Sequence, residues 1–142
     1  MPDSHSSETR SYNMSRIRSK ETKPEVLVRK YLYTKGFRYR KNDNRYPGKP
    51  DIILPKYKTA IFINGCFWHM HEGCSDFVMP ETNKAYWEPK LRRNHQKDTE
   101  NKADLEMLGW KVIVVWECEL KKDMFERRMI QLLQDILMTT LN

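Results

Sequence analysis

Two apolar, strand-sized runs, Ala60-Ile61-Phe62-Ile63 and Val112-Ile113-Val114-Val115-Trp116, flank a long, charged stretch of helical character. No other feature restricts the fold as much. A strand, a long helix and a second strand form a crossover, which makes the two strands parallel and ends them at the same sheet edge. The nearly continuous apolar run at Lys111 to Trp116 is that of a strand covered on both faces. Beyond the first strand the chain breaks at Asn64-Gly65 and continues Cys66-Phe67-Trp68-His69-Met70-His71, with Cys74 close behind. Beyond the second comes Glu117-Cys118. The crossover therefore delivers thiols distant in sequence to one rim.

The remaining elements fit around that pair. Thr22-Lys23-Pro24-Glu25 opens a helix, with Pro in the first turn and Thr and Glu spaced as a capping box. Leu27, Val28, Tyr31 and Leu32 supply its apolar face, and Gly36 ends it. Phe37 to Arg40 alternates as a strand, and Lys41 to Pro50 carries the turn chemistry of a loop. Asp51 to Leu54 and Thr59 to Ile63 pair as a hairpin about Pro55-Lys58, which sets Asp51 opposite or nearly opposite Ile63. A charged helix from Glu88-Pro89 to Leu108 stops at Gly109, with Leu91, Leu105 and Leu108 as its apolar positions. An amphipathic helix from Asp123 to Met138 closes the chain, with Phe125, Ile130, Leu133 and Leu137 among its apolar residues. The expected class is α/β, a mixed central sheet flanked by helices. Residues 1–20 read as a basic arm and 21–142 as one domain, since 142 residues suffice for a single core.

Charge and cysteine content narrow the function. A net charge of +7 favours a polyanionic partner. No apolar run reaches membrane-span length, and the polar N-terminus lacks a signal segment. Three cysteines cannot pair completely, which favours a reducing compartment, the cytoplasm, and thiol or metal roles.

Cys66, Cys74, Cys118 and one of His69 or His71 make a four-ligand set of the kind a closed, structural Zn²⁺ site uses. The alternative is unligated thiols packed as small apolar side chains. Asp51, with a carbonyl of the neighbouring strand end and water, offers hard oxygen ligands for Mg²⁺, and Glu25 and His69 are further candidates nearby. Phe67, Trp68, Tyr86 and Trp87 fit either a core or an exposed aromatic wedge that unstacks DNA.

Pro50-Asp51, Phe62-Ile63-Asn64-Gly65-Cys66-Phe67-Trp68-His69 with His71 and Cys74, and Trp116-Glu117-Cys118 together resemble the very-short-patch repair (Vsr) endonucleases. The similarity runs from about Arg10 to Leu120 in matching order and spacing. It implies a restriction-endonuclease-like fold with a structural zinc site. It also implies Mg²⁺-dependent nicking of double-stranded DNA, 5′ of the T in a T:G mismatch left by deamination of 5-methylcytosine. Carried over by position, Asp51 binds Mg²⁺ with the Ile63 carbonyl, Glu25 holds the metal's water, and His69 is the general base. Cys66, His71, Cys74 and Cys118 bind zinc, and Phe67, Trp68 and Trp87 wedge beside the mismatch. Met14 and the N-terminal arm close over the DNA, while Lys90 and Asn94 face the mispair. The resemblance further implies a monomer attended by mismatch-repair proteins. Asn64 stands where some members carry histidine; it can hydrogen-bond DNA or water but cannot act as a base. A zinc-stabilised protein that binds distorted DNA without cutting, or an endonuclease of the same fold with another site, are the competing readings.

Overall fold

The computed structural model describes residues 23–75 and 77–138. Helix α1 spans Lys23–Thr34, followed by strands β1 (Arg40–Lys41), β2 (Ile52–Leu54) and β3 (Thr59–Asn64). Helix α2 (Lys84–Met107), strand β4 (Lys111–Trp116) and helix α3 (Phe125–Met138) complete the described elements. The sheet order is β1-β2-β3-β4. The first two pairings are antiparallel and β3-β4 is parallel, with Ile61 beside Ile113 and Asn64 beside Trp116. Among the described residues this is a mixed α/β arrangement of one four-stranded sheet and three helices, and the expected crossover is present.

Strand alternation divides the packing between two faces. Ile61 and Val115 point to the side of α1 and α3, where they meet Val28, Leu32, Met129 and Leu132. Ala60 points the other way, toward Leu105 of α2, with Phe62 and Val112 packed alongside. Helix α1 stops at Gly36, whose φ of +93° suits glycine, and the Phe37 amide returns to the Leu32 carbonyl at 3.0 Å.

Several sequence expectations shift. The first strand is confined to Arg40–Lys41, because Phe37 turns into the core beside Tyr57 instead of pairing. Strand β4 is not covered on both faces: Ile113 and Val115 are buried, while Val112, Val114 and Trp116 are half-buried. The cause lies in α2, whose turns between Leu91 and Leu105 carry polar residues over the sheet. Helix α2 also starts earlier than expected, at Lys84, and takes Pro89 inside its second turn. The Asn83 carbonyl accepts from the Tyr86 and Trp87 amides at 2.9 and 3.0 Å, which sets the first turn despite the later proline. Leu108 falls beyond α2 and is exposed. In α3 the buried stripe is Met129, Leu132 and Ile136, so Ile130 and Leu137 are exposed. Leu27 of α1 is likewise exposed, leaving Val28 and Leu32 as that helix's core residues. The basic N-terminal segment and Thr22 lie outside the described residues.

Candidate active site and metal centre

The hairpin positions the first group. Asp51 precedes β2, and its Oδ2 accepts a 2.6 Å hydrogen bond from the Ile63 amide across the ladder. Asp51 and Ile63 are therefore adjacent, as expected, though through the amide and not through the carbonyl named above. Glu25, on the first turns of α1, faces the same carboxyl group closely enough to hydrogen-bond it. The Glu25 Oε2 also lies 3.1 Å from Arg29 Nη1, one helical turn on, and both side chains are almost fully buried. Burial, reinforced by the Glu25 charge, pushes the Asp51 carboxyl up to about 7. The Ile63 amide and Arg29 act in the opposite direction. Two carboxyl groups crowded together are hard oxygen donors suited to Mg²⁺.

The second group lies past the parallel strand ends. Cys66 follows β3, and Cys118 sits in a 3₁₀ turn, Glu117–Leu120, directly after β4. The ligand atoms of Cys66, His71, Cys74 and Cys118 all lie within 4.8 Å of one another, a cluster that could hold a metal ion. Three soft thiols and an imidazole match zinc's preferences, since sulfurs about 2.3 Å from a tetrahedral zinc stand about 3.8 Å apart. The loop folds to make this possible: the His71 amide donates to the Cys66 carbonyl at 3.0 Å, and the Cys74 amide to His71 at 3.3 Å. The His71 ring stacks on Trp116, centroids 3.9 Å apart and planes 4° from parallel. Glu119 secures the Cys118 turn by accepting from the Trp116 amide at 2.8 Å and Arg128 Nε at 3.0 Å. Burial raises the Cys66 thiol to about 12 and also raises the Cys118 thiol. A metal binding there must therefore displace protons.

His69 stands apart from that cluster. Its Nδ1 lies 2.5 Å from Asp98 Oδ2 on α2, and its amide donates to the Gly65 carbonyl. Asn64, almost wholly buried at the end of β3, lines a cavity of about 160 Å³ with His95, Asp98 and Lys102. Phe67, Trp68 and Trp87 form one aromatic group, with centroids 5.3, 5.5 and 5.7 Å apart pairwise. All three are half-buried and belong to neither core. Asn94 Nδ2 donates to the Trp68 carbonyl at 3.4 Å, and the Lys90 ammonium lies over the exposed Tyr86 ring. Met14 is outside the described residues.

Residues 2–76 match the family profile of the DNA mismatch endonuclease Vsr. The chain is 38% identical over 121 residues to the DNA mismatch endonuclease Vsr of Escherichia coli, covering 85% of this chain and 77% of that protein. The chain belongs to the Vsr family of DNA mismatch endonucleases. It is thus an endonuclease that acts on DNA. Two further relatives are nicking enzymes by name. The type II nicking enzyme V.NmeAIP of Neisseria meningitidis is 53% identical over 137 residues, with 96% of this chain and 97% of the relative aligned. The type II nicking enzyme V.XorIIP of Xanthomonas oryzae is 43% identical over 84% of this chain and 88% of its own length.

Two groups of this Vsr-family site escaped the sequence reading. Asp98 is separated from Asn94 by four residues and from Leu91 and Leu105 by seven, which puts all four on one helical stripe facing the sheet. An acid on the buried stripe of a helix was the available signal. Arg29 lies four residues after Glu25 and next to the core residue Val28, so its burial was readable as a paired charge. No helix of the described residues is long and apolar enough to cross a membrane.

Proposed function

We propose that this chain nicks one DNA strand 5′ of the T in a T:G mismatch, using Mg²⁺ at Asp51 and a zinc-pinned loop that presents an aromatic wedge. The fold would be restriction-endonuclease-like, and the setting a bacterial cytoplasm where such mismatches follow deamination of 5-methylcytosine. The observation that carries the reading is a carboxyl pair at the end of β3, Glu25 buried and Asp51 half-buried, followed in the next loop by an acid-bound histidine beside aromatics that fill no core.

The proposed division of labour joins the family resemblance to the geometry. Asp51, aided by the Ile63 carbonyl, would hold Mg²⁺, with Glu25 orienting water. A divalent cation held there would supply positive charge against the phosphate and acidify an attacking water. Asp98 fixes the His69 ring through Nδ1, which leaves Nε2 to accept a proton from that water, and the carboxylate steadies the resulting imidazolium. Asn64 would hydrogen-bond DNA or water from the cavity edge.

Zinc at Cys66, His71, Cys74 and Cys118 would be structural, since four protein ligands leave no open position. It would tie the short Phe67-Trp68 loop to the sheet rim. Phe67, Trp68 and Trp87 would insert beside the mispair, where opening a step costs least. Lys90 and Asn94 would face the mispair, and Met14 with the basic arm of residues 1–20 would close from the other groove. The protein would act as a monomer, with mismatch-repair proteins as accessory partners.

A strand-specific nicking assay on T:G and fully paired duplexes, with and without Mg²⁺, tests this. Mg²⁺-dependent cutting of the T strand alone is expected. Binding without cutting would favour a distortion-binding role, and equal cutting of both duplexes a different target.

A further inference from the structure

A guanidinium buried beside the two carboxyl groups has no part in the mechanism above. Arg29 is 4% exposed and Glu25 5%, and their 3.1 Å ion pair lies beside the Glu25–Asp51 contact. Arginine does not lose its proton in proteins, so this is a fixed positive charge built into the site. A buried guanidinium is strongly unfavourable unless neighbouring charges offset it. Here they do, and the balance bears on how many metal ions the site can take.

With both carboxyl groups ionised, the two acids and Arg29 together carry one net negative charge. One divalent cation and one phosphodiester bring the total to zero. A second divalent cation would leave two uncompensated positive charges in a poorly solvated site, close to a guanidinium that cannot move away. Without Arg29 the arithmetic reverses: one divalent cation leaves the site negative, and a second becomes electrostatically favourable. Two-metal phosphodiester chemistry uses its second ion as positive charge beside the phosphate. Arg29 supplies a permanent positive charge beside Glu25 and Asp51.

We propose that Arg29 stands in for a second divalent cation, so that the Asp51 edge of this chain takes a single Mg²⁺. Arg29 is thereby a positioning residue, holding Glu25 and setting the ion count through its charge. The proposal rests on the assignment of Asp51 as a metal ligand.

Metal counting on the zinc-loaded, full-length protein tests it. Mn²⁺ is titrated by electron paramagnetic resonance into complexes with a T:G duplex whose cut position carries an uncleavable, anionic phosphonate. The Asp51→Asn complex gives the background. One Mn²⁺ above that background is expected for the unaltered protein. Arg29→Met is expected to take two, and Arg29→Lys, which keeps the charge, to take one. In cleavage the Mg²⁺ dependence should change from first order to second order only in Arg29→Met. Two ions in the unaltered protein, or one ion in a folded Arg29→Met, overturn the proposal. Should Arg29→Met not fold, two ions in Arg29→Lys refute it and one supports it. If Asp51→Asn binds as many ions as the unaltered protein, the Asp51 assignment itself fails, an outcome distinct from two ions in the unaltered protein.

Discussion

Replacing Asp51 by Asn removes the ionisable group while keeping its shape and an oxygen that can accept from the Ile63 amide. The consequence for stability follows from the sign of the Asp51 shift. Its carboxyl titrates at about 7 in the folded chain, against 3.8 ordinarily, because burial and Glu25 disfavour the charge. A raised carboxyl makes the folded state bind more protons than the unfolded state between those values. Stability from this group is therefore complete below about pH 4 and lost as pH rises through 7. The full displacement corresponds to roughly 4 kcal/mol as a ceiling. Sharing of the proton with Glu25 and attraction from Arg29 reduce the expected loss to about 1–3 kcal/mol. At about 4 °C per kcal/mol for a domain of this size, that is a fall of about 4–12 °C in melting temperature. Thermal unfolding at pH 5 and pH 8, on zinc-loaded protein without Mg²⁺, measures it. The unaltered protein should lose that much more than Asp51→Asn over the interval. Millimolar Mg²⁺ at pH 8 should restore part of the difference in the unaltered protein alone, because the cation binds only the folded carboxylate. Parallel pH dependences for the two proteins would refute the half-buried, Glu25-facing placement of Asp51.

Three further substitutions probe the other parts. Asp98→Asn should lower the nicking rate by about 100-fold or more while mismatch affinity stays within about twofold, because the His69 ring loses its anionic partner; an unchanged rate would remove His69-Asp98 from proton transfer. Cys118→Ser should reduce zinc content by mass spectrometry and lower stability by several kcal/mol, since it takes one of four clustered donors, and a full zinc complement would reject that ligand. Trp68→Ala should cost roughly 1–3 kcal/mol of mismatch binding, the scale of one stacked base, with little change in melting temperature. A fall of more than about 10 °C in melting temperature would instead assign Trp68 a packing role, against its position outside both cores.

What was readable in the sequence was whatever topology alone decides. Two apolar strands separated by a long helix must run parallel, so Cys66 and Cys118 had to meet at one rim, and the thiol–imidazole cluster includes both. The short turn after Leu54 likewise fixed the register that brings Asp51 to Ile63. Composition could not show which face of a helix is covered. The stripe of α3 was displaced by one residue because Ile130 and Leu133 are as apolar as Met129 and Leu132, and only the packing against the sheet separates them. Residue types alone left the choice between His69 and His71 open; the family resemblance pointed to His71, and His71 is the histidine clustered with the three cysteines. Both lie within reach of the loop, and the decision comes from a distant partner, Asp98 for one and Cys118 for the other.

The incomplete cover of β4 and the composition of the site have one origin. Ile63 and Asn64 are consecutive, so alternation sends their side chains to opposite faces of the sheet. On the Ile63 face stand α1, Glu25 and the carboxyl pair; on the Asn64 face stand α2, Asp98 and the cavity beside His69. The proposed hydrolytic site, assembled around one strand end, can draw acids from one layer and its histidine from the other only if both layers carry polar groups at that level. Helix α2 does so by placing Asn94, Asp98 and Asn101 where a wholly structural helix would place leucines, and the half-exposed Phe62, Val114 and Trp116 beneath are the consequence. Filling that gap with apolar residues, for instance Asp98→Leu, should therefore stabilise the fold by about 1 kcal/mol or more while abolishing nicking. A destabilised variant would mean that Asp98 contributes more to the fold through His69 than the uncovered sheet loses by its presence.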